Sequence, residues 1–206
     1  MVNTTYKILR LSKEDVPKIV AVLCDSFFDY PVMRFVINSE INYPHKLKIL
    51  INFFVMARII RKEVIIGIGE QSNMAGVALI SNQNNVINPP KLKNLREKVW
   101  TELGTQSRSN YQKFSDICAQ FQVNVPHLHL NMIGIKHDAQ GMGLGRKLIE
   151  QVHLLSLNDS NSSGVTLTTE DPAKVSFYEY LGYNIIGQSN VTPQLKTWSF
   201  FRSNRI

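Results

Sequence analysis

Cysteine is scarce in this sequence: Cys24 and Cys118 stand alone, far apart, with no partner at metal-ligand spacing and no secretory context. That excludes a disulfide framework and a cysteine-ligated zinc site, and both thiols are expected to be reduced in a cytoplasmic protein. Long apolar runs are missing as well. The longest, Ile49 to Ile60, is broken by Asn52 and Arg58 and is too short to span a bilayer. Met1 to Arg10 lacks the apolar core of a signal peptide. Lys and Arg are dispersed, with no run longer than a pair, although the net charge is +7 and the sequence pI about 9.4. A nucleic-acid stripe is therefore not evident, and attraction of a small polyanion is the simpler use of the charge. No internal repeat is visible. What is present, 206 residues with 44% hydrophobic content, suits one domain over 1–206 with a substantial core.

Read in order, the chain alternates strand and helix signals. Tyr6 to Leu11 reads as a strand. Ser12 with Asp15 three residues on resembles a capping box before a helix with apolar residues at Val16, Ile19, Val20, Leu23 and Phe27. Val32 to Ile37 suggests a short helical piece, and Pro44 starts another helix that runs towards Arg61. Val64 to Ile68 and Ala75 to Ile80 flank Glu70-Gln71-Ser72-Asn73 as a hairpin, and Ser81 to Pro90 must be a loop. Lys91 to Leu103 and Arg108 to Gln122 read as two helices. After them come a strand at Leu128 to Ile135, a helix beginning near Leu144, and a polar loop from Asn158 to Gly164. Val165 to Thr169, Pro172 to Leu181, Tyr183 to Ile186 and Lys196 to Phe201 complete the order as strand, helix, strand, strand. This is an α/β arrangement around a mixed sheet of about seven strands.

The chemistry concentrates between His127 and Glu150. Leu128 to Ile135 is apolar enough for a strand buried on both faces, and Gly134 inside it marks a bulge or a close approach by another backbone. Gln140-Gly141-Met142-Gly143-Leu144-Gly145-Arg146 then opens onto a helix with Leu144, Leu148, Ile149 and Val152 on one face. Backbone N–H groups freed of Cβ atoms at a helix N-terminus attract phosphate. Arg146-Lys147-Leu148 lacks the Lys-Ser/Thr pair of a P-loop, and the glycines are spaced G-x-G-x-G rather than G-x-G-x-x-G.

The run Gln140 to Gly145 is similar to the acetyl-CoA pyrophosphate loop, Q/R-x-x-G-x-G, of the GNAT N-acetyltransferase superfamily. Thr169-Glu170-Asp171-Pro172 leading to Phe177-Tyr178-Glu179-Tyr180-Leu181-Gly182 resembles a second motif of the same superfamily, in the right order. Asp15-Val16-Pro17, Phe28-Asp29-Tyr30-Pro31, Gly134-Ile135 and Thr197-Trp198 look like the branch that includes puromycin N-acetyltransferase. The chain departs from that branch at Thr168, where Glu is usual, and at Lys174, where Asn is usual; the wider superfamily often has Asn at Asp171.

The resemblance implies a GNAT fold, with its central strands splayed around acetyl-CoA. It implies an N-acetyltransferase that moves an acetyl group to a primary amine of a small molecule by direct attack. Cofactor contacts would come from Ile133, Gly134, Ile135, Gln140, Gly141, Met142, Gly143, Leu144, Gly145, Arg146, Asp171 and Lys174. Tyr178, protonated near pH 7, would be the general acid. His129, which alternates with His127 on one strand face, would be base or acceptor anchor, with Asp25, Asp29 and Glu70 as weaker candidates. No metal, membrane or specific nucleic acid is expected, and a homodimer is allowed. Aromatic residues Phe27, Phe28, Tyr30, Phe35, Phe53 and Phe54 fall in segments that wall the acceptor side in this family. The two helices after residue 90 are an insertion suited to acceptor specificity. A non-catalytic CoA-binding or nucleic-acid-binding module on the same fold is the alternative.

Overall fold

A computed structural model describes residues 6–70, 73–83 and 87–205. Gln71 and Ser72 of the expected hairpin turn, and residues 84–86 of the following loop, lie outside them. Strands β1 (Lys7–Arg10), β2 (Val64–Gly69), β3 (Met74–Asn82), β4 (Leu128–Ile135), β5 (Gly164–Thr169), β6 (Asn184–Thr192) and β7 (Leu195–Ser203) form one sheet. Their order is β1-β2-β3-β4-β5-β7-β6. Every neighbouring pair is antiparallel except β4 with β5, which are joined by a helical crossover and run parallel.

Helices cover both faces. On one side lie α1 (Val16–Ser26), α2 (Pro31–Ile37), α3 (Tyr43–Ile60), α4 (Pro90–Leu103) and α5 (Thr105–Cys118). Their apolar stripes, with Ile19, Leu23, Leu47, Leu50 and Trp100, close on Val77, Leu79 and Met132 of the sheet. On the other side, α6 (Leu144–Asn158) and α7 (Val175–Tyr180) bury Leu148, Val152 and Tyr178 against Ala78, Ile80, Leu130, Leu167 and Phe200. Successive β3 residues therefore feed opposite cores, which is why that strand is apolar almost throughout. Helix starts follow local chemistry. The Ser12 N–H donates to Asp15 Oδ2 at 3.0 Å, and prolines occupy the first turns of α1, α2, α3 and α4.

One reading from the sequence needs refining and two need correction. β4 does feed both cores, Met132 one and Leu128 and Leu130 the other, but alternate residues are only half-buried because the strand borders a cleft. The last hairpin is longer than its apolar residues suggest, reaching Thr192 and restarting at Leu195. β6 pairs with β7 alone and is largely exposed, so its polar residues carry no hydrophobic period. The expected helix from Pro172 is also shorter, since Pro172–Lys174 forms a single 3₁₀ turn before α7.

Candidate active site

The site begins where two parallel strands part. β4 and β5 pair only from Leu128, His129 and Leu130 to Val165, Thr166 and Leu167; beyond Leu130 the β5-facing edge of β4 has no strand partner. A bulge adds to the opening. Leu130 pairs with Ile80 and Met132 with Leu79, so Asn131 is the extra residue, and its buried Oδ1 finds no hydrogen-bond partner among the described residues. Gly134 is not the bulge. A Cβ there would sit 2.0 Å from Ser26 Oγ and 3.2 Å from Leu23, so glycine lets α1 lie directly on the strand.

A cleft of about 1360 Å³ fills the split. At one end, α6 presents its first turn. Gly141 and Gly143 adopt φ of 77° and 73°, and a Cβ on either would meet nothing within 4 Å. The left-handed turns thus leave a concave space bounded by backbone N–H groups and the positive helix end, which suits a pyrophosphate. The orphaned Asn131 Oδ1 and the unpaired β4 edge fit a pantetheine amide arm in the same way. Ile133, Gly134, Ile135, Gln140, Gly141, Gly143, Leu144, Gly145, Arg146, Asp171 and Lys174 all line this cleft. Their side chains differ in what they do. Gln140 Nε2 donates to Ile135 O at 3.1 Å and braces the loop, while Leu144 is 2% exposed and belongs to the core. Arg146 bonds Glu150 at 2.8 Å and lies over the Tyr180 ring. Asp171 Oδ1 accepts from the Ala173 N–H at 2.9 Å, capping its turn. Met142 is absent from the lining; its side chain is exposed and meets the Tyr6 hydroxyl at 3.8 Å.

Tyr178, His129 and Glu170 share the cleft wall. Tyr178 is 7% exposed, with its ring against Tyr183 and Phe200, and no hydrogen bond to its hydroxyl occurs among the described residues. Burial, then the Glu170 and Asp171 carboxyls, push its hydroxyl pKa well up, so it stays protonated. His129 Nδ1 lies 2.9 Å from Thr166 Oγ1. Burial pulls its pKa down to about 4, with Arg58 and His127 adding repulsion, so the ring is neutral at pH 7. Asp25, Asp29 and Glu70 do not line the cleft. Asp25 is held by the His137 backbone and ring, and Asp29 by Arg34.

The sequence places Glu170 in the second motif but gives it no role. It is 5% exposed, and the Thr197 hydroxyl donates to its Oε1 at 2.8 Å. Desolvation drives its pKa from 4.5 to about 7, against the Thr197 and Tyr30 hydroxyls. The available signal was strand alternation: Thr166, Thr168 and Glu170 follow one another at period two, so a carboxylate absent at Thr168 reappears two residues on. Tyr30 enters the sequence reading as an aromatic and as part of Phe28-Asp29-Tyr30-Pro31, without a role for its hydroxyl. Its hydroxyl lies 3.1 Å from Thr169 Oγ1 and accepts the Glu170 N–H at 3.0 Å.

The far end of the cleft is apolar and aromatic. Of the aromatic residues expected there, Phe27, Tyr30 and Phe54 line it, and Phe28, Phe35 and Phe53 do not. From the inserted helices, α5 contributes Tyr111, Phe114 and Cys118, whereas α4 contributes none. Trp100 of α4 instead backs Tyr111 at 5.0 Å. Arg58 also reaches the wall, paired with Glu63 at 2.7 Å. Among the described residues, no group of three or more His, Cys, Asp or Glu could hold a metal ion, and no helix is long and apolar enough to cross a membrane.

Residues 108–185 match the family model described as an acetyltransferase (GNAT) domain. Over 72 residues, 35% of the chain, the sequence is 31% identical to the 5-NmdU N-acetyltransferase of Pseudomonas phage PaMx11. The chain spans about half the length of that curated relative, 50%. Among solved structures, a histone acetyltransferase HPA2 and related acetyltransferase from Corynebacterium glutamicum superposes with a TM-score of 0.70 at 18% identity, covering 98% of each chain. Arylalkylamine N-acetyltransferase 2 from Aedes aegypti gives a TM-score of 0.59 at 18% identity, covering 96% of this chain and 97% of that one. At such identities these likenesses establish the fold.

Proposed function

We propose that this chain, which has the GNAT fold and carries a matched acetyltransferase domain segment at 108–185, is an acetyl-CoA-dependent N-acetyltransferase of small primary amines. One observation carries the reading. The unpaired edge of β4, the open glycine turns at α6 and the buried Tyr178 hydroxyl all face one cleft. A binding module would need only the strand edge and the glycine turns; the Tyr178 hydroxyl beside them supports chemistry.

Acetyl-CoA would supply an acetyl group as a thioester. The α6 N-terminus would hold its pyrophosphate through the backbone of Gly141 to Gly145, with Arg146 and Lys174 at the rim. Backbone groups of Ile133 to Ile135 would align the arm and aim one N–H at the thioester oxygen, a donor worth about 2.7–4 kcal/mol when the charge develops. Tyr178 would give its proton to the departing sulfur. The neutral His129 ring, fixed by Thr166, would anchor the acceptor. The aromatic wall of Phe27, Tyr30, Phe54 and Tyr111 supports an amine with an apolar or aromatic body. The finer likeness to the puromycin N-acetyltransferase branch rests on the Asp15-Val16-Pro17 and Phe28-to-Pro31 segments and extends this preference. Two free thiols, Cys24 and Cys118, support a cytoplasmic protein, and the single seven-stranded sheet supports one domain over 1–206.

Calorimetric titration with acetyl-CoA tests the first half of this reading. One site is expected, its affinity reduced by salt because the attraction is electrostatic. Absence of binding to the folded protein would overturn it.

A further inference from the structure

The cleft contains a buried carboxyl that the acetyl-transfer machinery above leaves idle. Glu170 follows the last residue of β5, at the point where β4 and β5 have separated, and its side chain lines the cleft together with Tyr178. Groups from four elements bear on it. Thr197 of β7 donates to Oε1, Tyr30 from the turn before α2 meets its backbone N–H, Tyr178 faces it from α7, and the Cys118 thiol ends α5. Asp171 is its chain neighbour. No positive charge is among the influences on it, so its burial is not relieved by an ion pair. A carboxyl kept for structure alone would be expected to pair with Arg or Lys or to face solvent. Glu170 does neither, yet it borders the space where an amine must approach.

Resting on the acetyltransferase reading, we propose that Glu170 is the general base of the reaction and selects acceptors that arrive as ammonium ions. Its carboxylate supplies a counter-charge beside the aromatic acceptor wall, whereas Asp171, the other carboxylate lining the cleft, caps its own turn. The Glu170 carboxylate takes one proton from the R–NH₃⁺ acceptor and leaves a neutral amine. The nitrogen lone pair forms the new N–C bond to the thioester carbonyl carbon, and the carbonyl π electrons move to oxygen. As they return, the C–S bond breaks and its electron pair leaves on sulfur, which takes the Tyr178 proton. The second proton on nitrogen restores Tyr178, and Glu170 releases its own to solvent. One acetamide, one thiol and one proton result. A carboxyl that titrates near 7 is matched to this work at neutral pH, better than a histidine held near 4.

The test is the pH profile of kcat/KM with an amine that the wild-type protein acetylates. The wild-type profile should rise with an acid-limb midpoint near 7. In Glu170→Gln, kcat/KM at pH 7 should fall by roughly 10²–10⁴-fold and the limb should move up to the acceptor's own pKa, while calorimetric affinity for acetyl-CoA stays put. Thr197→Val removes the donor that lowers the carboxyl's pKa and should move the limb upward with Glu170 in place, a shift no merely structural role would produce. A Gln variant that keeps the limb near 7, or a Val variant that leaves it unmoved, would overturn the assignment to Glu170 while leaving acetyl transfer standing. No acetyl transfer by the wild type to any amine would overturn the enzyme reading and this role with it.

Discussion

Replacing Glu170 by Gln should stabilise the fold progressively as pH rises. The carboxyl is raised from 4.5 to about 7 when folded, because burial disfavours its ionised form. A group raised in this way adds stability below its unfolded pKa and loses it as pH climbs through the folded value. Two and a half units correspond to about 3 kcal/mol. Gln keeps the oxygen that accepts from Thr197 and cannot ionise, so the variant avoids the penalty. Its stability relative to wild type should therefore grow by about 3 kcal/mol between pH 4.5 and pH 8, or about 6–12 °C in Tm for a chain of this size. His129 and His153 are both pulled down to about 4 by burial and cost stability as pH falls below 6.5. They do so equally in both proteins and cancel from the difference. Thermal unfolding of the pair at pH 4.5, 6 and 8 measures it. A difference that stays flat with pH, or shrinks, would mean that Glu170 ionises normally and would refute the reasoning.

Three further substitutions probe separate parts of the site. Tyr178→Phe should lower kcat by roughly 10²–10⁴-fold with acetyl-CoA affinity retained, and wild-type turnover would return this residue to the core. Gly143→Val puts a branched side chain at a left-handed position beside the expected pyrophosphate. It should weaken acetyl-CoA more than tenfold, about 1.4 kcal/mol, and calorimetry on a folded variant with unchanged affinity would remove the loop from the site. Gly134→Ala must turn the Ser26 hydroxyl away from its bond to Val22 O, and the new Cβ still crowds Ser26 Cβ at 3.0 Å and Leu23 at 3.2 Å, straining the seat of α1. A loss of about 1–3 kcal/mol is expected in urea unfolding, and an unchanged midpoint would mean that α1 can yield.

The legible parts of this chain were those where one physical demand dominates a stretch of residues. α1 and α6 show their buried stripes at helical spacing, and β3 is apolar because both cores need it. The glycine loop was visible because left-handed turns before a helix leave few other residue choices. β6 was half-missed for the opposite reason: an edge strand with polar, exposed residues draws its order from β7 rather than from burial. Gly134 reads as a bulge or a close approach, but the group that approaches, Ser26 on a distant helix, leaves no mark in the local pattern. Glu170 shows the same limit more sharply. Its burial depends on where β4 and β5 separate and on Tyr30 and Thr197, residues 140 positions before and 27 after it. Short-range patterns carry no trace of such partners.

Steady-state release of CoA from acetyl-CoA, measured with and without a panel of diverse primary amines, tests the central claim most directly. Turnover that requires an amine, favours amines with apolar or aromatic bodies and yields the acetylated product is the expected result. Tight acetyl-CoA binding with equal, negligible CoA release whether or not any amine is present would contradict it and leave a CoA-binding module in place of an enzyme.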